Sequence, residues 1–128
     1  MRASRLVVGL FAIGATLGSA TACSHSYQAG GEVAPANMVG LTVKNENFLD
    51  MDVYAVSDGL ATRVGTVSGN SSRNFVLDAS VATQDLRIVA TPIGGNGRAS
   101  SGTITVSPGQ TVDFRIGSFL SNSSVVIR

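Results

Sequence analysis

The chain from residue 39 onward predicts an all-β sandwich. Three observations carry that prediction. Short runs of alternating apolar and polar residues recur, as in residues 41–43, 51–56 and 86–90. Clusters of turn residues separate these runs at a spacing of roughly 8–12 residues. After a short leader, the chain is rich in Val, Ser, Thr, Gly and Asn and poor in Lys and Glu, a β composition.

Each element has its own justification. Residues 40–45 (G-L-T-V-K-N) alternate Leu41 and Val43 on one face and end at Asn45. Residues 45–50 read as a polar loop. Residues 51–56 put Met51, Val53 and Ala55 on one face and Tyr54 and Val56 on the other. Ser57-Asp58-Gly59 is a turn cluster, residues 62–67 a third strand, and Ser68-Gly69-Asn70-Ser71 a second turn. Residues 73–77 form a fourth strand, with Phe75 and Leu77 sharing a face. A helical turn fits only residues 79–84.

Residues 85–92 alternate cleanly, with Leu86, Ile88 and Ala90 facing one way. Gly94-Gly95-Asn96-Gly97 is a loop. Residues 103–106 form a strand with Ile104 and Val106 inward. In Ser107-Pro108-Gly109-Gln110, Pro fixes φ and Gly is free to adopt a positive φ. Val112, Phe114 and Ile116 alternate in the next strand, and residues 124–128 form the last. The total is about seven to eight short strands. An up-and-down barrel is the alternative, while strands of five to eight residues are too short for a transmembrane barrel.

Ahead of this body stands a leader. Arg2 and Arg5 form a basic start, and residues 6–18 form an apolar run of thirteen. That length suits the hydrophobic region of a secretory signal peptide and falls short of a transmembrane helix. Small residues follow, and Ala20-Thr21-Ala22 makes an A-x-A site with cleavage after Ala22. The next residue, Cys23, is the only cysteine. Residues 1–22 are thus expected to be removed, residues 23–38 to form a lipidated cysteine and flexible linker, and residues 39–128 to form the domain. Gly30-Gly31 and Pro35 give the linker its character.

Composition sets limits on function. Removing the 22 leader residues from 128 leaves 106, enough for one domain with a single core. Arg2 and Arg5 leave with the leader, so the net charge moves from +1 to −1. No basic patch points to nucleic acid. The lone histidine, His25, sits in the linker, where neither a catalytic base nor a metal ligand is held rigidly. No catalytic constellation, resident metal or cofactor is expected.

One group of oxygen-bearing residues stands out. Asp50, Asp52 and Asp58, with Asn45 and Asn47 nearby, offer the ligand chemistry of a calcium site, and Tyr54 adds an aromatic that a sugar ring could stack on. The EF-hand pattern fails, for no Gly holds its sixth place and no Glu its twelfth. Asn and Asp also favour turns for backbone reasons alone.

Two resemblances follow from these residues. Residues 20–23 (A-T-A-C) resemble the lipobox of bacterial lipoproteins, with Ala20 where Leu, Val or Ile usually stands. This implies lipid attachment at Cys23, and Ser24 in second place leans towards the outer membrane, facing the periplasm or the cell surface. Residues 52–56, 65–67 and 86–90, with the V-S-P-G-Q-T-V run at 106–112, resemble small Ig-like (transthyretin-like) antiparallel β-sandwich domains of bacterial exported proteins. That resemblance implies a fold and a location and transfers no catalytic residue. The expectation is a lipid-anchored, non-enzymatic structural or protein-interaction module of the cell envelope. Its partners would be membrane lipid through Cys23 and an envelope protein through a sheet edge or loops. The alternative is a small-ligand or carbohydrate-binding accessory domain centred on Tyr54, Asp50 and Asp52.

Overall fold

The structure, a computed structural model, describes residues 34–81 and 85–128. The leader, the Ala22 cleavage site, Cys23 and His25 lie outside the described residues.

Among the described residues eight strands build two sheets: β1 (Met38–Asn45), β2 (Met51–Ser57), β3 (Leu60–Val67), β4 (Ser71–Asp78), β5 (Arg87–Pro92), β6 (Ala99–Ser100), β7 (Thr111–Ile116) and β8 (Ser124–Ile127). One sheet has the order β4-β1-β7-β8 and the other β3-β2-β5-β6. The all-β sandwich read from the sequence is the observed fold. Every named ladder is antiparallel except β1 with β7, which runs parallel from Gly40↔Thr111 to Asn45↔Ile116.

Local chemistry explains the connections. Asp58 and Gly59 both take positive φ, 51° and 78°. Two such residues make the turn whose twist matches a two-residue hairpin, and Ser57 pairs with Leu60 across it. Ser68, Gly69 and Asn70 carry the chain from one sheet to the other, with Asn70 at φ 52°.

The core lies between the sheets. The alternating faces read from the sequence supply it: Leu41 and Val43 from β1, Met51 and Val53 from β2, Ile88 from β5, Phe114 and Ile116 from β7. Phe114 is the largest fully buried side chain.

Three details depart from expectation. First, the body begins earlier than residue 39. Met38 is already in β1, Ala34 is buried, and the Met38 N–H donates to the Pro35 carbonyl at 2.8 Å. The last residues of the expected linker therefore belong to the folded part. Second, residues 103–106 form no strand. Ile104 and Val106 do face inward, but pairing is a single bridge between Ile104 and Leu86. Gly102 at φ 71° takes the backbone out of extension, and the Ser101 hydroxyl accepts the Ile88 N–H at 2.9 Å where a ladder continues with backbone carbonyls. The strand that does form there, β6, has two residues. Third, the helical turn expected at 79–84 is a 3₁₀ turn at Ala79–Val81, with residues 82–84 outside the described residues. A second 3₁₀ turn, Leu120–Asn122, was not legible in the sequence.

The topology sorts the connections onto two ends. Residues 46–50, 68–70, 93–98 and 117–123 cluster at one end, called here the loop end. Residues 58–59 and the start of β1 lie at the opposite end. No described helix is long and apolar enough to cross a membrane.

Candidate functional site

The loop end is organised by two amides that sequence reading placed in an open polar loop. Asn45 is 1% exposed and Asn47 7%. Asn45 Nδ2 donates to the carbonyls of Leu49 at 2.8 Å and Ser68 at 3.1 Å, while its Oδ1 accepts the Asn47 N–H at 3.0 Å. Asn47 Oδ1 accepts the Leu49 N–H at 3.0 Å, and its Nδ2 donates to the Ser118 carbonyl at 2.8 Å. These are side-chain-to-backbone turns of the kind Asn favours, placed in tandem. They are buried because every polar atom finds a partner, which buried polar groups require.

Asp50 extends the same clamp. Its Oδ1 accepts the Gly69 N–H at 2.9 Å, and its carbonyl accepts the Ile93 N–H at 2.8 Å. Loop 46–50 is thereby tied to each of the three other loops. The approach is close: a Cβ on Gly69 would fall on the Phe48 carbonyl, and one on Gly117 would lie 2.7 Å from the Asn122 oxygen.

What this clamp presents is apolar. Phe48 is 77% exposed, Phe119 74% and Ile93 50%. Each stands beside a fastened residue: Phe48 between Asn47 and Leu49, Phe119 after Ser118, and Ile93 through its own N–H. Large apolar side chains on a mobile loop can fold back onto the body. On a fastened loop they stay in solvent, and grouped exposed apolar side chains mark interaction surfaces.

Charges flank the same end. Glu46 bonds Arg115 at 2.5 Å and Lys44 at 3.0 Å. Hydrogen bonding from Arg115 first, and from Lys44 second, holds its carboxyl down at about 2, from an ordinary 4.5. Arg98, in loop 93–98, pairs with no carboxylate among the described residues.

The residues singled out in the sequence are not brought together. Asp50 and Asp58 stand just beyond opposite ends of β2, about 26 Å apart at roughly 3.3 Å per residue. Asp58 is a turn residue at positive φ. Asp52 lies on the outer face, where its Oδ1 accepts from Thr66 at 2.7 Å and Arg63 at 2.6 Å. The Thr66 hydroxyl, then Arg63, lowers its pKa. Tyr54 is half-buried on that outer face, paired with Arg63 and Val89 where β3 bulges at Val64. It shares no concave patch with Phe48. Among the described residues no group of three or more His, Cys, Asp and Glu is disposed to hold a metal ion.

Two open hollows mark the surface. One, about 140 Å³, is lined by residues 44–46 and 70–72. The other, about 320 Å³, lies at the end opposite the loop end, among Val56, Asp58, Asp85, Arg87 and Thr103.

Sequence reading singled out neither Ile93 nor Phe119 and left Phe48 inside the polar loop at residues 45–50. Their mark was available. Ile93 is a bulky apolar residue between Pro92 and Gly94, and Phe48-Leu49 and Phe119-Leu120 are apolar pairs set among turn-formers.

No family model and no curated protein matches the chain. Among solved structures, the NMR structure of a protein from Eubacterium rectale is similar over 71% of this chain and 88% of its own, at 15% identity and a TM-score of 0.48.

Proposed function

We propose that this chain is a lipid-anchored, non-enzymatic interaction module of the cell envelope that binds through its loop end. The observation that carries the reading is the fastening of Phe48, Ile93 and Phe119 in solvent by Asn45, Asn47 and Asp50. The polar side chains there bond backbone of neighbouring loops, which suits a rigid contact surface more than bond-making chemistry. Asp50 and Asp52 likewise accept internal hydrogen bonds, which weakens the carbohydrate-binding alternative centred on Tyr54. The anchor rests on the leader and Cys23. Two or more acyl chains hold a protein to a bilayer durably, each buried CH₂ contributing about 0.8 kcal/mol.

Two measurements test the parts separately. A Cys23→Ser variant should leave the membrane fraction, and the mature protein should lose the mass of its acyl groups. Unchanged fractionation and mass would remove the anchor. A photo-crosslinking side chain placed at position 48 should form adducts in the expressing cell, while one at Thr62, exposed on β3, should not. Equal yields from the two positions would remove the loop end as the contact surface.

A further inference from the structure

Building on the reading of the loop end as a contact surface, we infer that its partner is an anionic lipid bilayer surface, into which Phe48, Ile93 and Phe119 insert.

Shape is the first argument. The three side chains sit on three separate loops and project at 77%, 50% and 74% exposure. Neither surface hollow is lined by any of them. A protein segment is gripped in a groove, whereas separate apolar projections suit a deformable medium. Aromatic and aliphatic side chains gain by leaving water for the acyl boundary. The fastening of the loops fixes the projections before contact, so little freedom remains to be lost on docking.

Charge is the second argument, and it selects the kind of bilayer. The described residues divide unevenly along the strand axis. The half nearer the loop end carries Lys44, Arg73, Arg98 and Arg115, and the guanidinium of Arg63 reaches up to Asp52 and Thr66. Its carboxylates are Glu46, Asp50 and Asp52, leaving two positive charges in excess. The opposite half holds Asp58, Asp78, Asp85 and Asp113 against Arg87 and Arg128, two negative charges in excess. An anionic surface therefore attracts the apolar end and repels the other, which orients the domain. The same excess of positive charge sets two loop ends against each other, so a second copy is a poor occupant.

Chain length is the third. Cys23 stands eleven residues before Ala34. Eleven residues span at most about 36 Å, and an eight-residue strand spans roughly 26 Å. The reach exceeds the length of the strands, so anchor and loop end can engage one bilayer.

The test uses the chain from residue 23 onward carrying Cys23→Ser, so that neither the leader nor an acyl group contributes. It should partition into vesicles of phosphatidylglycerol mixed with phosphatidylethanolamine, more weakly into phosphatidylcholine vesicles, and less as salt is raised. Adding Phe48→Ser and Phe119→Ser should weaken partitioning roughly tenfold or more, since each removes an inserted aromatic. Both positions are exposed, so the melting curve should not move. Ile93→Ser alone is an independent check and should weaken binding in the same direction. Failure to bind anionic vesicles, binding unchanged by the double substitution, or equal binding to neutral vesicles would each overturn the inference. Vesicle binding that fails while the crosslinker at position 48 captures an envelope protein would overturn the lipid partner and leave the loop end as a contact surface.

Discussion

The side-chain amide of Asn47 donates to the carbonyl of Ser118 across seventy-one residues of chain, at 2.8 Å. That bond joins the β1–β2 loop to the β7–β8 loop, and Asn45, two residues earlier, joins the first of these to the β3–β4 turn. The arrangement of the loop end thus rests on two amides.

Asn45 gives the sharpest stability prediction. Asn45→Ala leaves the Leu49 and Ser68 carbonyls and the Asn47 N–H without their partner. Leaving buried groups unpaired costs roughly 1–3 kcal/mol. Asn45→Asp should be worse at neutral pH, because a buried carboxylate would face two carbonyl oxygens. It should recover on mild acidification, as protonation restores a donor. Urea unfolding of the two variants at two pH values checks both the size and the ordering.

Phe114 tests the core. It is the bulkiest of the fully buried side chains and lies on β7 between the sheets. Phe114→Ala should destabilise by about 3–5 kcal/mol, the usual cost of a buried aromatic truncated to a methyl. Phe119→Ala, at 74% exposure, should hardly move the unfolding midpoint. The contrast between two phenylalanines five residues apart is readable by chemical denaturation.

Gly69 tests the close approach of the loops. A Cβ there would meet the Phe48 backbone, which has no flexible end to swing aside. Gly69→Ala should cost roughly 1–3 kcal/mol, as other overpacked sites do. Amide chemical shifts of Asn47 and Ile93 should move with it, because both residues bond through loop 46–50.

Glu46 gives a pH dependence. Its folded carboxyl sits at about 2 rather than 4.5, so it binds a proton less readily folded than unfolded. The pairing with Arg115 and Lys44 therefore adds stability above about pH 4.5 and loses it as pH falls towards 2. All three groups are solvent-facing, so the effect is small and screened by salt. A chain carrying Arg115→Gln and Lys44→Gln should lose less of its melting midpoint across that window than the unsubstituted chain.

Most of the framework could be read in advance because burial on one face writes itself as alternation. Leu86, Ile88 and Ala90 are fully buried, as are Met51 and Val53, and each stands where period two places it. Two things could not be read. Ala99 and Ser100 pair with β5, yet Arg98-Ala99-Ser100-Ser101 carries no apolar alternation that would mark a strand. Asn45 and Asn47 look like any solvated amides, because composition does not say whether an amide bonds to water or to a neighbouring loop. The loop end was hidden for that reason, and Phe48 looked like one aromatic in a polar stretch.

The parallel pairing of β1 with β7 has a mechanical consequence. β1 is an interior strand, held by β4 on one side and β7 on the other. A pull along its axis from the chain before Ala34 cannot peel it away one hydrogen bond at a time. It must slide β1 against two neighbours at once, and it loads both ladders in shear. Tension applied from the N-terminal side would therefore pass through a strand embedded on both edges.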